Sequence, residues 1–184
     1  MNFKKHLIQL PVFLIIALYS FNSAAQSMIF STTYDKKKDQ TVQVMLPHGN
    51  IGIPGQWEKT SYNQVSKQHF FKNGDSTILS VSKNPANKYP FFKAAFSDQQ
   101  LVSEFVKWDS EYWQQQGLTI KILKDESEKG FIVWQAKADK AYTTNTIFVF
   151  GCKKGFVYGF SATSKSWSEE KMQEFLTELF KSNS

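Results

Sequence analysis

Two runs decide the fold: Thr146-Ile147-Phe148-Val149-Phe150-Gly151-Cys152-Lys153 and Phe156-Val157-Tyr158-Gly159-Phe160-Ser161-Ala162-Thr163-Ser164, joined by Lys154-Gly155. Both are dense in β-branched and aromatic residues, which suit a pleated, buried surface. A two-residue turn at Lys154-Gly155 sets the register. Gly151 then faces Tyr158, and Gly159 faces Phe150. A ring lying over a cross-strand glycine covers exposed backbone and pins that register, so Tyr158 and Phe150 are the expected covers. One face of the pair carries Val149 and Phe160. The other carries Phe148, Phe150, Cys152 and Val157. Both faces are apolar, so both need covering.

Two amphipathic helices are available to do it. Ser97 and Gln100 form a capping-box pattern, after which Leu101, Phe105, Trp108 and Tyr112 recur at helical spacing with Val102, Val106 and Trp113 beside them. Gly117 supplies a left-handed stop. A final helix from about Ser168 to Lys181 carries Met172, Phe175, Leu176, Leu179 and Phe180 as one stripe. Further strands are expected at Thr41 to Leu46, Val65 to Lys72, Ser76 to Lys83, Leu118 to Lys124 and Phe131 to Ala138. Asn73-Gly74 turns the second of these into the third. Pro47, Gly49, Gly52, Pro54 and Gly55 read as a break in regular structure, and Asn84 to Phe96 as a loop. Short links favour antiparallel pairing. The expected fold class is therefore α+β, an antiparallel β-sheet sandwiched by helices. The expected organisation is a signal peptide over 1–25, a polar N-terminal segment over 26–40, and a single antiparallel-sheet domain over 41–184. The segment 26–40, with its Asp35-Lys36-Lys37-Lys38-Asp39 block, reads as a solvated tether or a first turn.

This order of strands, helix, four-strand meander and terminal helix resembles the PsbP-like family over about Thr41 to Lys181. Trp57, in the Pro54-Gly55-Gln56-Trp57 opening, and the strand-helix unit Phe156 to Phe180 carry the resemblance. That family includes photosystem II extrinsic proteins, Ran-binding Mog proteins and bacterial exported proteins. The resemblance implies an α/β/α sandwich and a binding or assembly role without catalysis. It transfers no catalytic set, and no metal-ligand motif matches here.

The start of the chain reads as an export address. Lys4 and Lys5 precede a mostly apolar run from Leu7 to Phe21, and Ser23-Ala24-Ala25 places small residues before Gln26, the three-part layout of a secretory signal. The apolar run is about 15 residues where a membrane span needs roughly 20. The mature protein is expected to be soluble and periplasmic or extracellular, with no stable membrane insertion. All 22 basic residues are lysine, against 16 acids; loss of Lys4 and Lys5 leaves 20 against 16, or +4. The absence of arginine removes the planar fork used for guanine edges and phosphates, which argues against nucleic acid. The single cysteine, Cys152, excludes an internal disulfide.

Chemistry-bearing motifs are few. His48 and His69 are separated by about twenty residues with no Cys/His cluster, and Asp125-Glu126-Ser127-Glu128 lacks the calcium-loop pattern. Cys152 lies in an apolar strand, where a thiol is a small buried hydrophobe. No nucleophile elbow is present. No catalytic residue, metal ligand or cofactor is assigned. The expected site is the loop Tyr89-Pro90-Phe91-Phe92-Lys93-Ala94-Ala95-Phe96, with Trp57 as a further contact residue, meeting a protein partner in the envelope. Tyr89, Phe91, Phe92 and Phe96 are either exposed for that contact or folded back to plug one end of the sheet. Alternatives are a small apolar or sugar ligand in an aromatic groove between helix and sheet, and a hydrolase using unidentified acids.

Overall fold

The computed structural model describes residues 28–138 and 145–184, so the expected signal peptide lies outside the described residues. The decisive hairpin forms as read. β9 (Asn145–Lys153) and β10 (Phe156–Thr163) pair antiparallel with Gly151 opposite Tyr158 and Phe150 opposite Gly159. Lys154 and Gly155 make the turn, both at positive φ.

Around this hairpin a seven-stranded antiparallel sheet is assembled from two meanders. The first comprises β4 (Glu58–Asn63), β5 (Gln68–Lys72) and β6 (Ile78–Pro85). The second comprises β7 (Thr119–Glu126), β8 (Phe131–Lys137), β9 and β10. They join where β6 pairs with β10, giving the order β4-β5-β6-β10-β9-β8-β7. The helix α1 (Asp98–Gln115) links the meanders across one face, and α2 (Glu169–Asn183) returns over the other. On the α1 face, Leu101, Val102, Phe105 and Val106 pack on Ile132, Trp134, Phe148, Phe150, Cys152 and Val157. On the α2 face, Met172, Leu176, Leu179 and Phe180 pack on Val133, Ile147, Val149, Tyr158 and Phe160. The alternation of Ile147, Val149 and Phe148, Phe150 along one strand thus feeds two separate cores.

Four sequence expectations need correction. Within the polar segment 26–40, Ile29–Asp35 is not a tether but a strand, β1, pairing with β2 (Gln40–Leu46). The Asp-Lys-Lys-Lys-Asp block is the turn between them, where the Asp35 carboxylate accepts hydrogen bonds from the Lys37 and Lys38 amides. Its polarity misleads because β1 is an edge strand that buries little beyond Phe30. The glycine-proline stretch after Leu46 contains a third strand, β3 (Asn50–Pro54), whose Ile51 and Ile53 are fully buried. β1-β2-β3 form a separate small sheet that shares the α2 face of the core through Met45, Ile51 and Ile53. β4 is likewise a polar edge strand without a hydrophobic signal, while Val65 stands almost wholly exposed in the turn before β5. Finally, the ring filling the space beside Gly151 is that of Phe180, so close that a Cβ on Gly151 would collide with it.

Candidate functional site

The 89–96 loop follows a short 3-10 turn at Ala86–Lys88 and is built from tight turns, with the Phe92 amide bonded to the Tyr89 carbonyl and the Phe96 amide to the Lys93 carbonyl. These turns send Tyr89, Phe91, Phe92 and Phe96 back against the α1 core, where all four are half-buried. Tyr89 stacks on Phe91 at 5.2 Å between ring centres and lies 5.2 Å from Phe105. Phe105 in turn stacks on Phe150 at 4.0 Å. The Tyr89 hydroxyl accepts a hydrogen bond from Asn84 Nδ2 at 3.2 Å, and burial pushes its pKa up to about 12. Four of the five expected contact residues therefore anchor the loop.

Trp57, the fifth, is buried at 5% exposure and belongs to the opposite core. Its Nε1 donates to the Pro54 carbonyl at 2.8 Å. Trp57 and the 89–96 loop lie on opposite faces of the seven-stranded sheet and do not make one surface.

The exposed aromatics come from α1. Trp108 is 44% and Tyr112 55% exposed. Sequence spacing placed both on the buried stripe, because they recur with Leu101 and Phe105. In the second half of the helix, however, Asp109 and Trp113 take the inner positions. Trp113 lies 5.6 Å from Phe148 and donates from Nε1 to the Asp109 carboxylate at 3.0 Å. Burial pushes Asp109 up to about 6, an effect that this hydrogen bond opposes. Trp108 is displaced to the flank, its ring 5.9 Å from both Tyr89 and Phe91. Tyr89, Phe91 and Trp108 form one aromatic patch with anchored loop rings and an exposed helix ring, and Tyr112 is exposed one turn further along α1.

A second aromatic feature lies on the α2 face. A cleft of about 430 Å³ is lined by Trp57, Asn73, Asp75, Trp167, Lys171 and Phe175. Trp167 donates from Nε1 to the Asp75 carboxylate at 3.0 Å, and the Lys171 ammonium sits over its ring at 4.3 Å.

The remaining chemistry-bearing groups are packed into the core or ion-paired, although the buried His69 Nδ1 makes no hydrogen bond. His69 is buried, stacked on Tyr62 at 4.5 Å and edge-on to Phe30 at 4.6 Å. Burial, with help from Lys59, pushes its pKa down to about 4. Burial pushes the Cys152 thiol up to about 12. In the acidic turn, Glu126 is paired with Lys124 at 3.1 Å and Lys129 at 2.6 Å. Among the described residues no group of three or more His, Cys, Asp or Glu could hold a metal ion, and no helix is long and apolar enough to cross a membrane.

The class defined by this geometry is an α+β antiparallel sandwich with an aromatic patch on one outer helix. No family model and no curated protein matches the chain. Among solved structures it is similar to cyanobacterial PsbP (CyanoP) from Synechocystis sp. PCC 6803, seen in solution, a member of the family that its element order resembles. The TM-score is 0.37 at 11% identity, over 85% of this chain and 91% of that chain.

Proposed function

We propose that this protein is an exported, non-catalytic binding or assembly module that contacts a protein partner in the envelope. The observation that supports this reading is the exposure of Trp108, set against the anchored Tyr89 and Phe91 rings, and of Tyr112 one helical turn further on. Rigid aromatics held on a packed support are the side chains that dominate protein interfaces. The test is a photoreactive phenylalanine analogue at Tyr112, with the same group at Glu174 on α2 as the opposite-face control. One discrete in-cell adduct from position 112, absent from 174 and lost with Trp108→Ser, is expected. Absence of a discrete adduct at 112, or the same adduct from both positions, sinks the reading.

The cleft at Trp57, Trp167 and Phe175 favours a second reading, a small apolar or sugar ligand between helix and sheet. Native mass spectrometry of the exported protein would then show retained mass that Trp167→Ala removes. A bare protein in both cases counts against it.

A further inference from the structure

At one end of the molecule three lysines and a histidine gather. Three chain segments converge there: the turn between β2 and β3 brings His48, the end of β6 and its 3-10 turn bring Lys83 and Lys88, and the β9–β10 turn brings Lys154. The Ala86 amide bonds to the Gly155 carbonyl at 2.8 Å, tying two of these segments together. Lys83 is half-buried, its ammonium 5.2 Å from the Phe156 ring centre and 5.3 Å from that of Tyr158. His48 packs edge-on to the same Phe156 at 5.8 Å. A Cβ on Gly49 would stand 3.5 Å from the Lys83 ammonium, so the glycine turn closes over that charge.

The charges in this cluster act on one another without a counter-ion. The groups that depress His48, after burial, are Lys83 and Lys88; the group that depresses Lys83, after burial, is Lys154. No carboxylate acts on either. The ion pairs among the described residues all lie elsewhere, at Glu126, Glu169 and Glu178. Holding several like charges together, one of them partly desolvated on aromatic rings, is unfavourable unless an anion sits among them.

We infer that His48, Lys83, Lys88 and Lys154 form a binding site for a phosphate group. Lysine binds phosphate as a point charge, without the bidentate fork that a carboxylate preference would call for. Three ammonium groups from two segments, with the His48 imidazole from a third, suit a dianion with several oxygens better than a single carboxylate. The phosphate is either free or carried on a lipid headgroup. Lys83 lies over Phe156 and Tyr158 on the α2 side of the sheet, while Lys88 directly precedes the anchored Tyr89.

The test compares two variants of equal charge loss. In the first, Lys83→Met keeps the stem on its rings, Lys154→Asn tolerates the positive φ, and Lys88→Gln is a surface change. The second carries Lys36→Gln, Lys37→Gln and Lys38→Gln in the β1–β2 turn. Inorganic phosphate is titrated into the exported protein at constant ionic strength, following the His48 imidazole and the Gly155 amide by NMR. Vesicles of one part phosphatidylglycerol to three of phosphatidylcholine, and of phosphatidylcholine alone, form the second arm. Saturable phosphate binding that raises the His48 pKa supports the site with a free ligand. Binding to the phosphatidylglycerol vesicles alone supports it with a headgroup. In either arm the first variant should lose at least about tenfold in affinity and the second less than about twofold, as site-specific charge contacts require. Equal loss in both variants, equal response to chloride, or no binding in either arm overturns the proposal.

Discussion

His69, buried, and Asp109, half-buried, are titratable groups whose effects on stability run in opposite directions. The ordinary histidine value of 6.5 falls to about 4 in the fold, so between these values only the unfolded chain takes up the proton. Its contribution, about 3 kcal/mol from a shift of that size, is full above about pH 6.5 and is lost as pH falls toward 4. Asp109 moves from 3.8 to about 6, so the folded chain holds a proton that the unfolded one has released. Its contribution shrinks as pH rises through that window. Urea titrations at pH 4 to 7 should therefore show a muted dependence for the wild type. His69→Phe should unmask a stability that falls with rising pH, and Asp109→Asn one that rises; an unchanged profile for His69→Phe would refute the assignment. Gly151→Ala should destabilise by ~1–3 kcal/mol through overpacking. Because the obstacle is the Phe180 ring, the loss should be smaller in a Phe180→Ala background, as a double-mutant cycle would report. The sequence revealed that Gly151 needed a cover and in which register. It could not reveal that the cover comes from residue 180, because cross-strand geometry constrains only neighbours in the sheet.

Elements with a strong periodic signal were legible, and polar edge strands were not. The α1 capping box is present in full: the Ser97 hydroxyl accepts from the Gln100 amide, and the Gln100 side chain accepts from the Ser97 amide. Ser97→Ala should cost about 1 kcal/mol, measurable as a shifted denaturation midpoint at unchanged slope. By contrast β1 and β4 each bury few side chains, so their alternation carries no hydrophobic contrast for periodicity to detect. The same physics explains the mistaken face of Trp108 and Tyr112. Apolar spacing marks an arc of the helix, but only the neighbouring loop determines which part of that arc meets the sheet. Trp108→Ser with Tyr112→Ser should shift stability by less than ~1 kcal/mol, whereas Phe105→Ala should cost ~3–5 kcal/mol. A large loss for the surface pair would show that those rings belong to the core.

At the scale of the whole molecule, the candidate site separates along the two faces of the sheet. Sequence reading grouped Trp57 with the 89–96 loop as contact residues, yet Trp57 packs into the α2-side core and the loop rings pack against the α1-side core. The small sheet is held to α2 by a side chain: Asn183 accepts from the Gly52 amide at 2.7 Å and donates to the Gly52 carbonyl at 3.0 Å. This clasp joins residues 131 positions apart. With α2 absent, Val149, Phe160 and the inner side of β3 lose their cover together, so a chain ending at Ser164 should fail to give a cooperative unfolding transition. Retention of one would show that the sheet stands without its second helix. The clasp also sets a timetable. A polypeptide emerging amino end first presents its strands long before the piece that locks them together, and stays threadable until that piece arrives. For a chain led by a proposed export address, such lateness would leave time for translocation before the fold shuts.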